Sequence, residues 1–130
     1  MYDGQAGDDP VTFTPELQRV LITGAYDICS RREWRLHALG TDATHGHFLI
    51  SQRDFMDWEA VRNKLKNILS LFLGRATDQP GRAWFVHEGS RKCVADRKHF
   101  NYLVETYLPG QRGLFWKEGD TLPEIADGIL

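Results

Sequence analysis

The apolar period of this chain changes twice between Leu17 and Phe72, and that double change limits the folds open to it. Apolar residues first recur at Leu17, Val20, Leu21, Ala25 and Ile28, the stripe of one helical face. Thr14 and Pro15 stand where an N-cap and a first helical residue belong, while Gly24 weakens the helix locally without ending it. The pattern then shortens, and residues 34–39 and 46–51 read as two strands around the polar turn Gly40-Thr41-Asp42-Ala43-Thr44. Helical spacing returns from about Trp58 to Leu73, at Val61, Leu65, Ile68, Leu69 and Phe72, with Gly74 as the expected stop. After a loop at Thr77 to Gly81, Ala83-Trp84-Phe85-Val86-His87 reads as a further strand that Glu88-Gly89-Ser90 can turn into Lys92-Cys93-Val94. Asp96 caps a last helix running to about Tyr107. This order predicts an α+β fold, an antiparallel sheet covered on one face by helices in a ferredoxin-like sandwich. Sheet order is not readable from the pattern.

A chain of 130 residues is one domain with one core. The expected division is a mobile leader at 1–10, a folded domain at 11–116 and an acidic C-terminal tail at 117–130. Cys29 and Cys93 are far apart and show no metal-ligand spacing, which favours a reduced, cytoplasmic protein over a disulfide-stapled one. No apolar run approaches the ~18 residues of a membrane span, and the acidic, Gly-rich N-terminus does not read as a signal peptide. The net charge of −2 is unevenly spread. Residues 17–117 hold all 16 Lys and Arg against 10 of the 18 acids, a surplus of six positive charges, and the other 8 acids sit at the two ends. A basic middle suits a groove that tracks a nucleic-acid backbone, although an ordinary mixed surface gives the same count. Arg62, Lys64, Lys66, Arg91 and Lys92 are the candidate phosphate contacts.

The residues that carry chemistry fall in two short segments. His45 and His47 open the second strand one residue apart, so both imidazoles project from one face and can reach one metal ion. Tyr107 and Gln111, four apart, would share a face on a helix. A tyrosine beside a two-histidine metal site suggests a phenolic nucleophile attacking a metal-polarised phosphodiester. Alone, His-x-His is a weak signal, and two polar residues at a strand mouth are the commoner explanation.

The order of the surrounding segments narrows the reading. Arg31-Arg32-Glu33-Trp34-Arg35-Leu36-His37-Ala38-Leu39 leads into His45-Gly46-His47-Phe48-Leu49-Ile50. Phe100-Asn101-Tyr102-Leu103-Val104-Glu105-Thr106-Tyr107 is followed by Gln111 and Arg112-Gly113-Leu114. Over roughly residues 11–116 this resembles the HUH single-strand DNA transposases, the insertion-sequence-200-like and REP-associated tyrosine transposases. The chain departs from that pattern at Gly46, where the family carries a bulky apolar residue, at Thr41 to Thr44 in place of a Met-Pro-Asn turn, and at Pro109 and Gly110.

The resemblance implies a ferredoxin-like HUH transposase fold, one divalent ion (magnesium or manganese) held by His45, His47 and Gln111, and Tyr107 as nucleophile. It implies cutting and rejoining of hairpin-bearing single-stranded DNA through a 5′-phosphotyrosine link, by a monomer or homodimer. Three function classes stay open: such a transferase, a nucleic-acid-binding relative that has lost nicking, and an unrelated α+β module. Tyr102 is the rival tyrosine, but its place between Phe100 and Leu103 reads as core. His37 reads as a strand-edge histidine in contact with water. His87 and His99 have no ligand-like neighbours, and Trp34, Trp84, Phe85 and Trp116 read as packing rather than base-stacking residues.

Overall fold

The structure, a computed structural model, describes residues 12–79, 81–85 and 93–130. Helix α1 (Pro15–Ser30) begins as its sequence dictates: the Leu17 N–H donates to Thr14 Oγ1 at 3.2 Å, and Pro15 occupies the first turn. Such a cap contributes about 1 kcal/mol. All five residues of the expected stripe are buried.

Strands β1 (Trp34–Thr41) and β2 (Gly46–Gln52) pair antiparallel from Trp34↔Gln52 to Thr41↔Gly46, with the register slipping between Leu36 and Ala38. A short strand β3 (Phe115–Lys117) pairs with the other edge of β1, so the sheet order is β2-β1-β3. As the middle strand, β1 is buried along most of its length.

Helix α2 (Trp58–Thr77) packs along α1. It runs through the expected stop at Gly74 because that residue is buried in the helix packing. The stop is Asp78 instead, in the left-handed region at φ 56°. Gly24 accounts for the closeness of the two helices: a Cβ there would lie 2.8 Å from the Phe72 ring.

The last helix, α3 (Arg97–Tyr102), is capped by Asp96, whose Oδ1 accepts from the His99 N–H at 2.8 Å. It continues into one π-helical turn (Leu103–Tyr107), in which the Leu108 N–H reaches back to the Leu103 carbonyl at 2.9 Å.

Helices cover both faces of the sheet, not one. Leu36, Leu39 and Trp116 pack with Phe48 and Ile50 against the α1 and α2 stripes. Ala38 and Leu49 pack on the opposite face with Leu108, Phe100, Leu103 and Val104 from the α3 segment. The strand expected at Ala83 to His87 is not formed at Ala83–Phe85, and Val86 and His87 lie outside the described residues. Trp84 buries its ring in the α1/α2 core and Phe85 packs beside it against Phe13, so this apolar run is satisfied by packing instead of pairing. Trp34 and Trp116 are core residues as well. The acidic segment after Lys117 lies on the domain. Ile129 is buried in the core, its carbonyl accepts from Arg75 Nη1 at 3.0 Å, and the Pro123 carbonyl accepts from Thr23 Oγ1 at 3.0 Å.

Burial pushes the Cys29 thiol up to about 12, whereas Cys93 is exposed. A thiolate-directed alkylating reagent should therefore modify Cys93 in the native protein and reach Cys29 only after unfolding. Peptide mass spectrometry showing both modified at equal rates under native conditions would contradict this packing.

Candidate functional site

The β1–β2 turn is shaped by one carboxylate. Asp42 Oδ1 accepts from the N–H groups of Thr44 (2.8 Å) and His45 (2.6 Å), and the Asp42 N–H donates to the His45 carbonyl at 3.0 Å. An aspartate that bonds its own backbone two and three residues on closes a turn without help from proline. Burial raises the affinity of the Asp42 carboxyl for its proton. The Thr44 and His45 N–H groups, the neighbouring imidazole and the Thr44 hydroxyl outweigh that and hold it below the ordinary carboxylate range.

The turn delivers His45 and His47 to one face of β2, with ring centroids 5.9 Å apart and planes 27° from parallel. Thr44 Oγ1 lies 2.7 Å from His45 Nδ1, engaging that nitrogen locally. Asp42 also faces both imidazoles, at 3.5 Å from His45 Nδ1 and 3.9 Å from His47 Nε2. Partial burial lowers the His47 pKa, aided by His45 and opposed by Asp42, which favours the neutral form that a metal needs.

Tyr107 arrives from the far side of the sequence. Its ring meets the His47 ring edge-on at 5.9 Å. Gly40, paired with His47 across the hairpin, makes this approach possible: a Cβ at Gly40 would lie 2.5 Å from the Leu108 carbonyl oxygen and 3.1 Å from Gln111 Cγ. Gln111 sits beyond the helix, in the turn made by Pro109 and Gly110, and its Nε2 donates to the Tyr107 carbonyl at 3.0 Å. Its amide oxygen remains as a donor atom for an ion.

Among the described residues, no three His, Cys, Asp or Glu side chains are grouped to hold a metal. Two imidazoles beside the Asp42 carboxylate, at 3.5 and 3.9 Å, are the donors that lie together here, and nitrogen donors suit a transition ion such as manganese more than magnesium.

Tyr102 is not core. It is 53% exposed, and its ring lies 6.4 Å from that of Tyr107. An α-helix would separate residues five apart by ~140°. The π-helical turn closes five residues instead of four and brings Tyr102 and Tyr107 to the same side.

The other expected contacts are dispersed. Arg62, Lys64 and Lys66 lie on α2, in the layer on the α1 side of the sheet, away from Tyr107. Arg91 and Lys92 lie outside the described residues. Sequence reasoning passed over Asp42 and Gly40. The Asp-x-x-His spacing is a legible signal for the first, whereas the second depends on the approach of a distant segment.

No family model, curated protein or solved structure matches this chain. No helix among the described residues is long and apolar enough to cross a membrane.

Proposed function

We propose that the chain is a metal-dependent tyrosine strand transferase of the HUH transposase kind, with the corresponding ferredoxin-like fold, acting on hairpin-bearing single-stranded DNA as a monomer or homodimer. One observation carries the reading: Tyr107, sixty residues beyond His47 in sequence (107 against 47), lies against its imidazole. In the proposed step the Tyr107 phenolic oxygen bonds to phosphorus as the bond to the 3′ oxygen breaks. The phenol gives up its proton and the 3′ oxygen takes one up, leaving a 5′-phosphotyrosine link and a free 3′-hydroxyl. Reversal by a second 3′-hydroxyl rejoins DNA without nucleotide hydrolysis. His45, His47 and Gln111 would hold the divalent ion, which supplies Lewis-acid polarisation of the phosphate. The deciding experiment is a denaturing gel for a covalent protein–oligonucleotide adduct formed with manganese.

A second reading, a nucleic-acid-binding relative without nicking, is favoured by Gln111, whose side-chain amide is held by the Tyr107 carbonyl at 3.0 Å. Two measurements separate the readings. Manganese should bind with micromolar affinity and be lost in a His45→Ala, His47→Ala double variant. Equal heats from both proteins in titration calorimetry would remove the metal from the mechanism. Binding to single strands should also weaken steeply with salt, with log K falling by about 0.7 per phosphate neutralised for each unit of log salt. Fluorescence anisotropy that shows no binding at low ionic strength would leave only the unrelated-module class.

A further inference from the structure

The sheet face that carries His47 opens, toward the other end of β1, into a groove of about 740 Å³. Its floor is made by the irregularity in β1. His37 is the extra residue where the register slips between Leu36 and Ala38, and bulges of this kind re-aim a side chain. Here the bulge lays the His37 ring edge-on to Phe100 at 5.3 Å, with Nε2 2.8 Å from Ser51 Oγ. Partial burial, then Arg35 and Arg97, push the imidazole below its usual pKa, while Glu118 opposes them. A neutral ring and a hydroxyl share one hydrogen bond, so one polar hydrogen of the pair, at the edge of the groove, is left for a ligand.

The charges lining this groove do not cancel. Glu118 is clasped by Arg35, with contacts of 2.9 Å from Nε and 2.6 Å from Nη2, and Asp96 is engaged as the cap of α3. Arg97 and Lys117 line the same groove and have no carboxylate partner among the described residues. The Arg97 guanidinium lies over the Phe100 ring at 5.2 Å. Val94, Phe100 and Val104 give the groove an apolar wall.

We propose that this groove is a phosphate-ester subsite for one nucleotide unit, with Arg97 and Lys117 holding the phosphate, the His37–Ser51 pair donating its one remaining hydrogen from the floor, and the apolar wall taking the sugar or base. Two cations without a carboxylate partner among the described residues, beside a polar donor, match a phosphate oxygen set, and an adjoining apolar surface matches a nucleoside better than inorganic phosphate. The source is either a free nucleoside monophosphate or one nucleotide of a single strand. This subsite does not depend on Tyr107 being a nucleophile.

Titration calorimetry of the full chain with inorganic phosphate and thymidine 5′-monophosphate, and anisotropy with oligothymidylate, test it. The monophosphate or the oligonucleotide should bind the wild type, and an Arg97→Gln, Lys117→Gln double variant should weaken that binding about tenfold, a loss of about 1.4 kcal/mol. Ser51→Ala should weaken it less, and His45→Ala should leave monophosphate binding unchanged. Binding of the monophosphate assigns the free nucleotide as sufficient, and binding of the oligonucleotide alone assigns the strand; both support the subsite. It is overturned if the wild type binds none of the three at low salt, if inorganic phosphate binds as tightly as the monophosphate, or if the double variant binds as tightly as the wild type. Circular dichroism on each variant checks folding, and NMR shifts of the His37 ring on adding the monophosphate locate the ligand where a variant misfolds. An unshifted His37 ring then counts against the subsite.

Discussion

Tyr107→Phe should abolish the covalent DNA adduct while leaving affinity for the same strand within about twofold, since a single hydroxyl is lost from a half-exposed ring. The chemistry demands an all-or-none result, because phenylalanine has no oxygen to bond to phosphorus. Tyr102→Phe is the sharper control. The π-helical turn places the two rings 6.4 Å apart, so helical geometry alone no longer separates the tyrosines. What separates them is His47, which meets the Tyr107 ring at 5.9 Å. Tyr102→Phe should therefore keep most of the adduct. An adduct that survives Tyr107→Phe and disappears in Tyr102→Phe would transfer the role to Tyr102. An adduct absent from the wild type on every hairpin substrate would favour the binding-only relative.

Gly40→Ala should destabilise the protein by about 1–3 kcal/mol, the usual cost of forcing extra volume into a packed site. The added methyl would meet the Leu108 carbonyl, and backbone cannot swing aside as a side-chain tip can. Gly46→Ala is the matched comparison. Its Cβ would press on the outer atoms of the Phe48 ring, a side-chain tip that can give, and would meet Leu21 at an ordinary 3.8 Å, so its cost should be smaller. Phe48 also accounts for Gly46, where the resembled family carries a bulky residue, since its ring lies across the place such a side chain would take. Because Gly40 seats Leu108 and Gln111 opposite His47, its substitution should also lower adduct yield, though no reacting group is removed. Urea unfolding that ranks Gly46→Ala below Gly40→Ala would contradict the seating of the π turn.

Much of this arrangement was legible because it is local. The Thr14 and Asp96 caps, the α1 stripe and the β1–β2 hairpin depend on residues within a few positions of one another. The pairing of β3 was not, because three residues carry no period and Trp116 reads equally well as packing. The Ala83 to Phe85 segment misled for the converse reason, since an apolar run looks the same whether it pairs or packs. At the site, the nearness of His45 to His47 was expected from strand alternation, but β2 begins at Gly46 and His45 is held in the turn by Asp42 and Thr44. The nearness of Tyr102 to Tyr107 was not expected, because it requires a π turn where α-helical spacing was assumed.

The slip in β1 separates what the fold requires from what the groove requires. With His37 left out, Trp34, Leu36, Leu39 and Thr41 would alternate strictly with Arg35, Ala38 and Gly40, and the same side chains would still meet α1. The order of the core-facing side chains thus loses nothing by its omission; what disappears is the imidazole beside Ser51 and Phe100, with the carbonyl that accepts from the Glu118 N–H at 2.9 Å. The strand holds one residue surplus to its own regularity, and that surplus lets one end of the sheet face change its chemistry without disturbing the histidine pair at the other.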